Sequence, residues 1–171
     1  MPSLIHCTQK LLAEIPDRLI APSVPGESWH ANLLRIDRRK CVLFTHDATL
    51  YSVFVPGLKK PDFEQLDEVF GPRLFKALLR DEFPQTQIEW MLEACRVIRF
   101  TRSSNRSVLG SMNDIRFHVG LHVEHDGGLA SVDLAQLHHE LNRIPFAAVG
   151  YQYPVEQLRE YLGQAPVDGI L

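Results

Sequence analysis

A chain of 171 residues with 45% hydrophobic and 23% charged residues shows ordinary globular usage, which excludes a fibrous repeat and extended disorder. Lys plus Arg number 18 against 21 for Asp plus Glu, so no global charge draws the chain to nucleic acid or to a membrane surface, and any anion binding must come from local clustering. The length suits one domain whose core stands without disulfides or a structural metal. Cys7, Cys41 and Cys95 are widely spaced in apolar contexts and read as small core residues with reduced thiols, the usage of a cytoplasmic protein.

Residues 4–7 read as a short strand, and Thr8 as the N-cap of a helix with Leu11, Leu12 and Ile15 on one side before Pro16 stops it. The first sixteen residues carry Lys10 and Glu14 and no continuous apolar core, so neither a signal peptide nor an anchor is expected. No run of about 18 apolar residues follows anywhere, and no membrane span is expected. Pro16, Pro22, Pro25 and Gly26 place an irregular loop before the next element.

Residues 30–56 carry the strongest β signal. Segments 31–36, 40–44 and 50–55 are rich in Val, Leu, Phe, Tyr and Thr, with short polar gaps at Asp37, Arg38 and Arg39 and at His46, Asp47 and Ala48, and they predict an antiparallel three-stranded meander. Pro56, Gly57 and Pro61 close it. From Asp62, read as a cap, Phe63, Leu66, Val69 and Phe70 recur at helical spacing. Gly71 and Pro72 are expected to break that helix, and Leu74, Phe75, Leu78 and Leu79 to resume in a second one. A helix capped by Thr86 and a strand at 97–100 follow.

Residues 108–125 fit two periods. Ile115, Phe117, Val119, Leu121 and Val123 alternate like a half-buried strand, whereas Val108, Met112, Ile115, Val119 and Val123 share one helical face, with Ser111 and Asp114 as a capping signal; length favours the helix. A helix capped by Ser131, a last strand at 144–149 and a helix opened by Pro154 complete an α+β reading, in which helices cover one face of an antiparallel sheet.

IHCTQKLL near the start, WHANLLRIDRRKCVLFTHDATLYSVFVPGLKKPDF in the sheet, RSVLGSMND before the long helix and LNRIPFAAVGY near the end together resemble a bacterial family known only as a domain of unknown function. The resemblance spans nearly the whole chain. It implies one compact cytoplasmic domain and brings no activity, substrate or catalytic residue.

Two polar constellations carry chemistry. Arg38, Arg39 and Lys40, beside Arg35 at a hairpin turn, and Arg102 and Arg106, beside Arg99 at a polar loop, offer guanidinium forks for phosphate oxygens. Asn105 and Ser107 add neutral donors. The alternative is that Asp37, Asp47 and other acids pair with these arginines at a solvated hairpin end. His118, His122 and His125 fall at i, i+4 and i+7, a spacing able to hold zinc or a related divalent metal, with Asp114 or Glu124 as a base; the H-E-x-x-H pattern is missing. Ser107, Ser111 and Cys41 lack a nucleophile elbow, and Gly110 stands outside any phosphate-cradling motif. Ser111, Asn113 and Asp114 read better as a helix start. Trp29, with His30 and Asn32, reads as a lid at the sheet entrance.

The leading expectation is therefore a binding module for an anionic partner, nucleic acid or a phosphorylated ligand, using the Arg/Lys cluster and no cofactor. The rivals are a metal-dependent hydrolase on the three histidines and a protein–protein adaptor in which an open edge of the meander pairs with another chain.

Overall fold

The computed structural model describes residues 1–15, 19–20 and 25–165. The expected loop before the meander lies outside the described residues at Pro16 and Pro22. In chain order the elements are β1 (Ser3–Cys7), α1 (Gln9–Leu12), β2 (Ser28–Ile36), β3 (Arg39–His46), β4 (Ser52–Leu58), α2 (Lys60–Glu64) and α3 (Leu66–Arg80). They continue with α4 (Gln85–Ala94), β5 (Ile98–Arg102), α5 (Arg106–His125), α6 (Leu134–Leu141) and α7 (Pro154–Gly163), with short 3-10 turns at Leu129–Ser131 and Ala147–Val149.

The meander forms as expected, β2 to β3 and β3 to β4 antiparallel. The sheet as a whole does not. Its order is β4-β3-β2-β1-β5, and β1 runs parallel to both β2 and β5, so the sheet is mixed. Helices also cover both faces, whereas one covered face was expected. The cause lies in the strands: Ala31, Leu33, Val42 and Phe44 point to one core, Leu34, Cys41 and Leu43 to the other, and a strand apolar on both sides needs two covers. α3, α4 and α7 bury Phe70, Leu74, Met91 and Leu158 in the first core; α5 and α6 bury Met112, Ile115, Val119 and Leu137 in the second.

α3 runs through Gly71 and Pro72 without a break. An interior proline costs about 3 kcal/mol, but burying Leu66, Phe70, Leu74 and Leu78 along one stripe contributes about 1.5–3 kcal/mol each, and the packing wins. Asp62 caps nothing at its own position; as the third residue of α2 its carboxylate accepts the Lys59 N–H at 2.8 Å. α5 resolves the ambiguous segment as a helix. Its cap is Asn105, whose side chain accepts the Val108 N–H at 3.1 Å, and Ser111 and Asp114 lie inside the helix. Residues 144–149 form no strand, ending instead in the 3-10 turn. No helix among the described residues is long and apolar enough to cross a membrane.

Candidate functional site

The edges of the sheet point to the site. Beyond β5, Leu19 bridges Phe100 and the Ile20 N–H donates to the Phe100 carbonyl at 2.9 Å, covering that edge. On β4 the Asn142 side chain acts as a strand substitute: its Oδ1 accepts the Ser52 N–H at 2.7 Å and its Nδ2 donates to the Ser52 carbonyl at 2.9 Å. Further along β4, Pro56 has no N–H to offer and the register shifts at that point, with Gly57 at φ +67°.

A third edge lies inside the sheet. β1 ends at Cys7, opposite Ala31, and the last link between the two strands is the Thr8 N–H donating to the Ala31 carbonyl at 3.1 Å. β2 continues for five residues, from Asn32 to Ile36, paired only with β3. Glu27 and Ala31 accept from the β1 side, while Ser28 accepts from Asp47 across the β3 side. Alternation then aims the N–H and C=O of Leu33 and Arg35 away from β3, toward the space β1 has vacated. No strand among the described residues takes them.

That space is a groove of about 1170 Å³, with Thr8, Lys10 and Ala13 on the α1 side and Met112, Phe117 and Leu121 on the α5 side. Phe117 is 64% and Leu121 48% exposed, though both are large and apolar. Between them Gly120 faces the groove with nothing within 4 Å of where a Cβ would stand. At its α1 end Glu14 takes Lys40 at 2.7 Å and Arg35 at 3.7 Å, so its charge is offset. Lys10 and Arg116 line the groove as cations without an ion partner among the described residues.

The cations singled out in the sequence are not brought together. Asp37 and Arg38 form the two-residue turn between β2 and β3, both at positive φ (50° and 65°), and the Asp37 carboxylate accepts the Leu129 N–H at 2.7 Å, just beyond the C-terminal end of α5. Arg102, Asn105, Arg106 and Ser107 cluster at the N-terminal end of the same helix, whose 20 residues span about 30 Å. Arg38 and Arg39 are exposed, Lys40 is committed to Glu14, and Asn105 to its cap. Asp37 and Asp47 do not neutralise the hairpin, because Asp37 holds Leu129 and Asp47 holds His30 and Ser28; another acid does so in part, Glu14 pairing with Lys40 and Arg35.

His118, His122 and His125 do share a face of α5, along a concavity of about 550 Å³. His122 is already engaged: Nδ1 lies 2.7 Å from Glu140 Oε2, and Nε2 sits 3.2 Å from Asp126 Oδ2 without hydrogen-bond alignment. No group of three or more His, Cys, Asp or Glu among the described residues converges to hold a metal ion. Ser111 and Cys41 are buried, and burial pushes the Cys41 thiol up; burial likewise raises Cys7 and Cys95 to about 12, so none of the three is a ready nucleophile.

Three polar joints escaped the sequence reading. Asp47 Oδ1 meets His30 Nδ1 at 2.7 Å and its Oδ2 accepts from Ser28 at 2.6 Å, while His6 stacks on His30 at 4.8 Å. Burial works against the Asp47 carboxylate, yet the hydrogen bonds from His30 and Ser28 outweigh it and hold the group below the usual carboxylate range. His30 Nε2 is buried without a partner, and with His30 only 1% exposed no substrate reaches it, so a carboxylate-oriented imidazole does not make an active site here. Glu27 joins His46 at 2.8 Å and the Tyr161 hydroxyl at 2.9 Å; Asp81 joins Tyr51 at 2.6 Å and His138 at 2.8 Å. These bonds tie β3, β4 and the helices together.

A family model described as a domain of unknown function, DUF6933, matches residues 4–157. The chain belongs to this family. No curated protein and no solved structure matches it. In this DUF6933 chain the family match takes in every strand but the first residue of β1, and with them the groove.

Proposed function

We propose that the protein is a peptide-binding adaptor, which takes an extended segment of a partner protein as an added strand along Asn32–Ile36 of β2. The observation that carries this reading is the unpaired backbone of Leu33 and Arg35 beside an open groove, in a fold whose outer edges are engaged at Ser52 by Asn142 and at Phe100 by Leu19 and Ile20. The partner's chemistry follows from the walls. Side chains on alternate positions meet Phe117 and Leu121 and are apolar; those between them meet Lys10 on the α1 side and are neutral or acidic. Gly120 leaves room for close approach.

Magnitudes set the strength. Four backbone hydrogen bonds at a net ~1 kcal/mol each support only millimolar binding. Two apolar side chains seated against α5 add about 1.5–3 kcal/mol apiece, which brings the complex toward the micromolar range. A short, reversible docking motif fits that range.

The test separates backbone pairing from side-chain contact. Arg35→Pro deletes the outward N–H while leaving the β3 ladder intact, and Arg35→Ala keeps the N–H but removes the guanidinium. Peptides selected from a displayed random library should bind the wild type and Arg35→Ala alike and lose roughly fivefold or more in affinity for Arg35→Pro, the worth of about one hydrogen bond. Failure to enrich any peptide, or enrichment of peptides indifferent to Arg35→Pro, would remove the proposal.

A further inference from the structure

Away from the groove, on the far side of β3, α3 carries Arg73, Lys76 and Arg80 at i, i+3 and i+7, within an arc of about 60° at ~100° per residue. No acidic residue stands three or four positions from any of them: the neighbours at those distances are apolar, proline or one another. Arg73 with Lys76 and Lys76 with Arg80 are therefore like-charge pairs on one helix face, which weaken a helix. No carboxylate among the described residues forms an ion pair with any of the three. In a chain with a net charge of −3 this is a concentration of uncompensated positive charge.

The three cations surround a notch of about 30 Å³ between α3, α6 and β4, floored by Phe54, Leu137 and His138, with no acidic residue in its lining. Its volume accepts about two water-sized groups, so two oxygens of a small oxyanion can enter while the rest of it, and any sugar or base, stays outside among the cations. The nearest buried acid is already satisfied. Asp81 receives the Tyr51 hydroxyl, His138 Nε2 and Arg143, and so does not neutralise the notch. His138 Nδ1 in turn faces Asn142 at 3.3 Å, so the imidazole presents its ring to the notch and both nitrogens are engaged elsewhere.

From this geometry we infer that the notch is a binding site for the phosphate of a small phosphate monoester, the phosphate seated among Arg73, Lys76 and Arg80 and the remainder outside. A dianion matches three cations better than a carboxylate does. Two arginine forks flanking one lysine suit its several acceptor oxygens, and the apolar floor strengthens each contact by excluding water. This site is independent of the peptide groove and of the hairpin arginines.

The experiment titrates the full chain with glycerol phosphate, followed by phosphorus NMR, at low and at moderate salt. Saturable binding is expected in the wild type, weaker at higher salt, and weakened by roughly tenfold or more in Arg73→Gln/Arg80→Gln, where two charge-assisted contacts are lost. Arg38→Gln/Arg39→Gln removes the same charge from the hairpin turn and should bind as the wild type does. Since all four arginines lie outside the cores, thermal melts of both double variants should match the wild type and exclude misfolding. Absence of saturation, or equal weakening by the two double variants, would overturn the assignment, the second result meaning that diffuse charge and not the notch attracts the anion.

Discussion

Asn142 shows how much a single amide can carry. Fully buried, it accepts the Ser52 N–H, donates to the Ser52 carbonyl and donates to the His138 carbonyl at 3.1 Å, standing in for the strand that β4 lacks. Asn142→Leu keeps the size and orphans both backbone groups of Ser52, each worth about 1–3 kcal/mol, so a loss of about 2–6 kcal/mol is expected. Urea denaturation should show a lowered midpoint with an unchanged slope, and a loss below about 0.5 kcal/mol would mean that water replaces the amide. The role was not legible beforehand, because Asn142 and Ser52 are 90 residues apart, as Tyr161 and Glu27 are 134 apart. Only some signals whose partner lies within a turn were readable: Pro154 opens α7 and Thr8 sits at the start of α1, whereas the caps expected at Thr86 and Ser131 fall to Pro84 and Asp133. Even there the chemistry differed, since the Thr8 hydroxyl donates to Asn32 Oδ1 at 2.7 Å and caps nothing.

At the scale of elements, α5 was read correctly from its length, because both periods fit the segment but a strand of 20 residues would far exceed the usual length of about five or six. The orientation of β1 was not readable. Whether a short apolar strand joins parallel or antiparallel depends on where the chain returns, and α2, α3 and α4 supply the long crossover that a parallel β1–β5 pair needs. Gly120 bears on this helix directly. It lies in the helix interior with open space beside it, so Gly120→Ala should stabilise α5 by about 0.5–1 kcal/mol, raising the thermal midpoint. In the proposed groove the added methyl narrows the approach to β2. A gain in stability coupled to weaker peptide binding is the expected result, and a gain in both would contradict the groove's role for that glycine.

For the molecule as a whole, the buried joints make stability depend on pH in two steps. Burial and the neighbouring His30 lower the His6 pKa, so the folded state favours neutral His6 while the unfolded chain takes its proton near the ordinary value of about 6.5; stability is fully present above that and declines as pH falls below it. Asp47 and Asp81, whose hydrogen bonds to His30 and Ser28 and to His138 and Tyr51 override burial, sit below their ordinary value. Their contribution holds above about 4 and is lost as pH falls through the depressed folded values. Chemical denaturation across an acid pH series should resolve both steps, with the upper one diminished in His6→Gln; an undiminished upper step would assign it elsewhere. Because α5 holds the hairpin turn at one end and Arg106 at the other, the two arginine clusters are also expected to act separately in any assay of anion binding.

The placement of β1 has a consequence for synthesis. It is the earliest of the five strands to be made, yet it pairs with β2 on one side and β5 on the other, and Ile98 is 91 residues beyond Cys7. At translation rates of about 5–20 residues per second, the flank of β1 that will receive β5 waits roughly 5–18 s for its partner. Meanwhile β2, β3 and β4 can zip locally as consecutive hairpins. The nascent chain thus passes through a stage with a finished meander and a half-paired strand beside it, and that stage is the one a chaperone would have to shield.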